Sequence, residues 1–76
     1  MVKSRVRWFN GKKGYGFIVN QDGGEDIFVH YSNISSEQEF KFLKQSAEVE
    51  FELIDTGKGL QAKNVREVLD YTWVPR

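Results

Sequence analysis

Flat rings recur at every second position in two short runs of this sequence, and they are its main candidates for binding chemistry. Tyr15 and Phe17 share one parity in the first run, and Phe28 and His30 share one parity in the second. Because successive side chains of a β-strand point to opposite faces, each pair is expected on a single face. Every nucleic-acid base has a π-face, so exposed rings beside Lys and Arg favour stacking with single-stranded nucleic acid.

The opposite parity in the same two runs carries the aliphatic residues Ile18, Ile27 and Val29. We expect these to form an interior with apolar residues of the other runs, namely Val6, Val49, Phe51, Leu53 and Val65. In the alternative arrangement the rings form the core and the aliphatic side chains are exposed. The first arrangement is favoured because Ile and Val are common interior residues, whereas the ring parity also carries a histidine.

The net charge of zero conceals a separation of charge along the chain. All the charged residues among residues 1–21 are basic, whereas residues 22–56 contain nine acidic and two basic residues. Glu48, Glu50 and Glu52 alternate with apolar residues in a run that would repel phosphate. This pattern predicts a basic face and an acidic back, with chance clustering on a solvated surface as the alternative.

Composition and missing motifs argue against several classes of protein. The 76 residues include no cysteine and one histidine, so we expect no disulfide, no metal site and no cofactor. No Ser/His/Asp or Cys/His set can be assembled around His30, and no phosphate-cradling loop is present, so an enzyme is not expected. No apolar run approaches the roughly 20 residues of a membrane span, and a signal peptide is lacking, so a cytoplasmic location is expected.

Short runs rich in β-forming residues, separated by glycine-containing turns, predict a small all-β sandwich or barrel. The predicted strands are Lys3–Asn10, Gly14–Asn20, Asp26–His30, Glu48–Ile54 and Gln61–Glu67. Turns are expected at residues 22–24 and 55–59, where glycines accept positive φ. Only residues 36–45 have a pattern that permits a helix, with Ser36 and Glu39 suited to a capping box.

Several motifs occur in the order and spacing of a known family. Residues 13–19 match most of the RNP1 pattern of RNA-binding sheets, but they lie too early in the chain for an RRM, which also needs two helices. With Trp8-Phe9-Asn10 before this run and Phe28-Val29-His30 after it, residues 3–66 resemble the cold-shock proteins.

The resemblance implies a five-stranded antiparallel OB-fold barrel over residues 1–68 that binds single-stranded RNA and DNA. It further implies an ATP-independent RNA chaperone with effects on transcription antitermination or translation. The family's stacking positions fall on Trp8, Tyr15, Phe17, Phe28, His30, Tyr31 and Phe40. Its basic and polar contacts fall on Arg7, Asn10, Lys13, Asp26, Lys58 and Gln61.

Some features depart from the family pattern. Residues 45–47 stand where a glycine turn is common, and Lys63 has the parity of Val65, so either a bulge frees it or it lies at the barrel mouth. Phe42 is interpreted as a loop residue that covers the barrel end. Residues 69–76 form a C-terminal tail to which the pattern assigns no role. A monomer is expected, with dimerisation through this tail as the alternative. A barrel that docks a proline-rich peptide on its rings is the alternative function.

Overall fold

The computed structural model describes residues 1–35 and 42–68, whose five strands form a closed barrel in the order β1-β2-β3-β5-β4. The strands are β1 (Val2–Asn10), β2 (Tyr15–Ile18), β3 (Ile27–His30), β4 (Glu48–Asp55) and β5 (Leu60–Glu67). Neighbouring strands are antiparallel, except that β3 pairs with β5 in parallel at Phe28 and Gln61. The predicted all-β, five-stranded barrel is confirmed, with one parallel pairing.

The aliphatic side chains on one face of β2 and β3 form part of the core, as predicted. Ile18 and Val29 are completely buried, whereas their neighbours Phe17 and Phe28 are only half-buried. The core consists of Val6, Ile18, Ile27, Val29, Ile34, Leu43, Val49, Phe51, Ala62 and Val65. Removing this apolar surface from water supplies the main driving force for folding, at about 25 cal/mol per Å².

A β-bulge in β1 changes which side chains of that strand face outward. Val6 pairs with Ile18 and Trp8 pairs with Phe17, so two steps along β1 match one step along β2 and Arg7 is the extra residue. Strict alternation would place Trp8 inside with Val6. The bulge instead leaves Arg7 and Trp8 both exposed.

The expectation that Leu53 is a core residue is wrong, because 40% of Leu53 is exposed. Pairing between β1 and β4 ends at Val2 and Phe51, whereas β4 continues to Asp55. Leu53 therefore lies beyond the part of β4 that β1 covers. Parity assigns a face to a side chain but cannot show where the neighbouring strand stops.

A second bulge explains the exposure of Lys63. Glu50 pairs with Arg66 and Glu52 pairs with Lys63, so three steps along β5 match two along β4. Asn64 lies within this interval and has a positive φ of 53°. Ala62 and Val65 are consequently both buried although they are three residues apart, and Lys63 faces solvent. Lys63 is therefore exposed because of a bulge, which was one of the two alternatives for this residue, and not because it lies at the barrel mouth.

The connection between β3 and β4 contributes to the core in ways that strand periodicity does not predict. A 3-10 helix spans Tyr31–Asn33 and is followed by the buried Ile34, which bridges to Val65. Leu43 is also completely buried. The part of the predicted helical segment that the structure describes, residues 42–45, is not helical, and residues 36–41 lie outside the description.

Candidate nucleic-acid interface

Rings from three adjacent strands form one continuous surface. Phe17 lies between Trp8 and Phe28, with centroid distances of 5.4 Å and 5.8 Å. Tyr15 contacts the same two rings at 5.7 Å and 5.9 Å and is the cross-strand partner of His30. We call this surface the ring face; it consists of Trp8, Tyr15, Phe17, Phe28, His30 and Tyr31. All six side chains are half-buried or exposed.

The ring face depends on the absence of a side chain at Gly16. Gly16 is buried between its partners Phe9 on β1 and Val29 on β3. A Cβ atom at this position would collide with the carbonyl oxygen of Trp8 and would lie 2.7 Å from Phe9 Cα. Gly16 therefore allows β1 to approach β2 closely enough for Trp8 to contact the β2 rings.

Local hydrogen bonds orient the end of the ring face formed by His30 and Tyr31. The Ser32 backbone N–H donates to His30 Nδ1 at 3.2 Å, and the Ser32 hydroxyl oxygen lies 2.8 Å from the same nitrogen. The Tyr31 backbone N–H donates to the Gly14 carbonyl oxygen at 2.8 Å. The two rings lie 4.6 Å apart between centroids. Sequence alone does not single out Ser32, because the hydrogen bond to His30 Nδ1 comes from its backbone N–H, a donor that every residue except proline has.

Two of the polar residues expected to contact nucleic acid form an ion pair with each other. Arg7 Nε lies 2.6 Å from Asp26 Oδ2 in an ion pair whose side chains are 52% and 28% exposed. Arg7 is the bulge residue of β1 and Asp26 immediately precedes β3, so the pair links the two strands that flank β2. A partly exposed pair of this kind adds about 0–1 kcal/mol of stability. It also reduces the positive charge that Arg7 presents to a phosphate.

The other polar residues expected in the site lie around the ring face. Asn10 Oδ1 accepts hydrogen bonds of 3.0 Å from the backbone N–H groups of Lys12 and Lys13, so it organises the turn between β1 and β2. The side chains of Lys13 and Lys58 are exposed, each in a turn. Gln61 is half-buried beside Phe28, its partner across β3 and β5. Phe40 and the tail at residues 69–76 lie outside the described residues.

The expected division into a basic face and an acidic back does not hold along β1. Lys3 is the cross-strand partner of Glu50, and Arg5 is the partner of Glu48. Arg5 also donates from Nη1 to the Ser46 carbonyl oxygen at 3.0 Å. Opposite charges on facing strands attract each other. Glu50 also lies 3.7 Å from Arg66 Nε on its other neighbour, β5. Charges that are separated in sequence are adjacent in the barrel.

Two other kinds of feature are absent from the residues that the structure describes. Within 1–35 and 42–68, no group of three or more His, Cys, Asp or Glu side chains is placed to hold a metal ion. No helix in these two ranges is long and apolar enough to cross a membrane.

Comparison with known proteins gives consistent results at the levels of family, sequence and fold. The model of the 'cold-shock' DNA-binding domain family matches residues 2–68. The chain is 51% identical over 65 residues to the cold shock-like protein CspD of Bacillus cereus, covering 86% of this chain and 96% of that protein. It is 47% identical over 68 residues to the cold shock-like protein CspA of Stigmatella aurantiaca, covering 90% and 98% of the two chains.

Among solved structures, Drosophila Unr CSD456 superposes with a TM-score of 0.68 at 19% sequence identity. The match covers 95% of this chain and 28% of that one, so this chain spans little more than a quarter of the Unr structure. At this identity the likeness concerns the OB-fold barrel alone. The match to the family model over residues 2–68 and the identities of about one half show that the chain belongs to the cold-shock domain family, a family of nucleic-acid-binding domains.

Proposed function

We propose that this protein binds single-stranded RNA and DNA through the ring face and acts as an ATP-independent RNA chaperone. The observation that carries the proposal is the continuous contact of Trp8, Phe17 and Phe28 across three strands, with the aliphatic core beneath them. Stacking of a base on an aromatic side chain is worth about 1–3 kcal/mol and tolerates any base sequence. Effects on transcription antitermination or translation, in the cytoplasm, would follow from keeping transcripts unpaired.

The chaperone mechanism is passive. A duplex hides the faces of its bases in its own stack, so only an unpaired strand can engage all the rings. A protein that binds one state alone shifts the equilibrium by RT ln(1 + [L]/Kd), which is about 2.7 kcal/mol at 100-fold excess over Kd. An average base-pair step contributes about 1.4 kcal/mol, so roughly two steps are offset for each bound protein. A free-energy shift of this size is enough to open short hairpins, whereas long duplexes remain paired.

A hairpin of a few base pairs, labelled with a fluorophore and a quencher, tests the proposal. Fluorescence should rise with protein concentration and be unaffected by ATP. It should not rise with the Phe17→Ala/Phe28→Ala double variant. Leu53→Ala provides a matched control, because Leu53 is an exposed apolar residue of β4 outside the ring face. If the hairpin stays closed while a matched unstructured oligonucleotide saturates the protein, the chaperone role is wrong and single-strand binding remains.

The peptide-docking alternative makes a different prediction for the same surface. Titration with oligo-dT, poly-uridine and a proline-rich peptide, followed by intrinsic tryptophan fluorescence, separates the two functions. Trp8 is 40% exposed on the ring face, so a ligand stacked there should change its emission. A response to the peptide with none to either polynucleotide would favour peptide docking.

A further inference from the structure

The turn between β1 and β2 lies between two exposed rings, each seated against a glycine. Gly14, with φ of 78°, has no side chain where the Tyr31 ring packs, and a Cβ there would lie 2.7 Å from Tyr31 Cδ1. Gly11, at the other end of the turn, faces Phe42 in the same way, with Cδ1 at 3.1 Å from the position of a Cβ. Tyr31 is 49% exposed and Phe42 is 45% exposed.

Phe42 packs against the barrel through Phe9, while nearly half of the residue remains exposed. Its ring meets Phe9 edge-on, with centroids 5.5 Å apart and an interplanar angle of 89°. Phe9 is half-buried and packs against the core, and the residue after Phe42, Leu43, is completely buried. Phe42 thus covers part of Phe9, but nearly half of Phe42 is left exposed. A cover residue needs no such exposure.

Three lysines lie close in sequence to Phe42 or to Gly11, the glycine against which the Phe42 ring packs. Lys12 and Lys13 occupy the middle of the turn between Gly11 and Gly14, and Lys44 follows Phe42 by two residues. All three lysine side chains are exposed. A ring flanked by Lys side chains combines a surface for a base with charge for the adjoining phosphates, the combination that single-strand-binding grooves use.

We propose that Phe42 is an additional base-stacking position, on the far side of the Lys12–Lys13 turn from Tyr31. It extends the ring face and takes one further nucleotide of a bound single strand. The inference rests on the proposed function, because a strand must already occupy the ring face to reach Phe42. The lysines of the turn neutralise the phosphates that connect the nucleotide at Tyr31 to the nucleotide at Phe42.

Binding of oligo-dT that lengthens one nucleotide at a time, from about four to about ten, tests this position. Phe42→Leu keeps an apolar cover on Phe9 but removes the ring, and it should lower affinity about five- to tenfold for long oligonucleotides only. Phe42→Tyr should bind like the parent protein at every length. Leu53→Ala, which removes a similarly exposed apolar side chain beyond the opposite end of β1, should also have no effect.

The outcomes separate this inference from the proposed function. Equal affinity of Phe42→Leu and the parent at every length overturns the stacking position, and so does an equal loss at every length. If Phe28→Ala also binds like the parent, the proposed function itself fails. A thermal melt of each variant reports its folding. If Phe42→Leu does not fold, photocrosslinking of the parent protein to 5-iododeoxyuridine oligonucleotides decides: a crosslink on Phe42 supports the inference, and crosslinks confined to the ring face overturn it.

Discussion

Phe17 of β2 and Phe28 of β3 are direct cross-strand partners, with ring centroids 5.8 Å apart and an interplanar angle of 69°. The next pair along the same two strands is Ile18 with Ile27, and both of these residues are buried. A single step along each strand therefore separates the ring face from the core. This separation allows binding and folding to be altered independently.

Phe28→Ala should weaken single-strand binding while leaving most of the stability in place. Loss of one stacking ring should cost about 1–3 kcal/mol of binding free energy. Val29→Ala, one residue further along β3, removes methyl groups from a completely buried site and should instead lower the free energy of unfolding by about 2–3 kcal/mol. Fluorescence anisotropy of labelled oligo-dT and urea denaturation measure the two effects. Unfolding of Phe28→Ala with unchanged binding per folded molecule would contradict the assignment.

Gly16→Ala should destabilise the barrel. The added methyl group would meet the Trp8 carbonyl oxygen and Phe9 Cα, which are backbone atoms that cannot move aside without separating β1 from β2. We expect a loss of about 3 kcal/mol in the free energy of unfolding. Gly23→Ala is the matched control: its Cβ would meet nothing within 4 Å, so only the positive φ of 89° should cost stability, about 1–2 kcal/mol. Equal losses in urea denaturation would show that crowding at Gly16 is unimportant.

Alternation along regular strands was sufficient to place Phe17 and Phe28 outside and Ile18 and Val29 inside. It was insufficient for Trp8, whose outward position depends on the bulge at Arg7. Trp8 was assigned to the ring face by the family resemblance alone. A bulge is a property of the pairing between two strands, and neither strand shows it by itself.

Contacts between distant parts of the chain account for the other differences. Leu53 is exposed because β4 extends beyond its pairing with β1, and Leu43 is buried although it follows no strand periodicity. The pairing of Lys3 with Glu50 likewise depends on which strands are neighbours. Fold class and most of the ring face were therefore predictable, whereas strand overlap, loop contributions and charge pairing required the three-dimensional register.

Ser46→Gly should stabilise the protein. Ser46 has φ of 71°, a conformation that costs a residue with a side chain about 1–2 kcal/mol. The turn before β4 holds it there, because the Ala47 N–H donates to the Lys44 carbonyl oxygen and the Ser46 N–H donates to that of Val6. Glycine also makes the unfolded chain more flexible, which lowers the free energy of unfolding by about 0.4–1 kcal/mol. The net increase in the free energy of unfolding is therefore expected to be about 0.5–1 kcal/mol.

Asn64→Gly provides a comparison for Ser46→Gly, since Asn64 also has a positive φ, of 53°. Asn tolerates this region better than Ser does, so the gain should be smaller. Urea denaturation with a common m-value measures both changes. A destabilised Ser46→Gly protein would mean that the serine side chain makes a compensating contribution.

The salt dependence of single-strand binding should be shallow. Arg7 is paired with Asp26, and Lys3 and Arg5 face Glu50 and Glu48 across the β1–β4 pairing. Among the residues that the structure describes, few uncompensated cations therefore remain beside the ring face. Each neutralised phosphate of a single strand contributes about 0.7 to the slope of log affinity against log salt, and we expect a total of roughly −2 to −3. A slope near −8 would mean that charge rather than stacking dominates binding.

Two lysine variants show which cations produce that slope. Lys13→Gln should make the slope shallower by about 0.7, since the Lys13 side chain is exposed in the turn beside the ring face. Lys3→Gln removes the same charge from a residue that is also exposed but faces Glu50, and it should leave the slope unchanged. The two variants have the same net charge, so any difference between their slopes reflects the position of the lysine alone. Equal slopes for the two would imply that phosphates respond to the overall field of the protein and not to the turn.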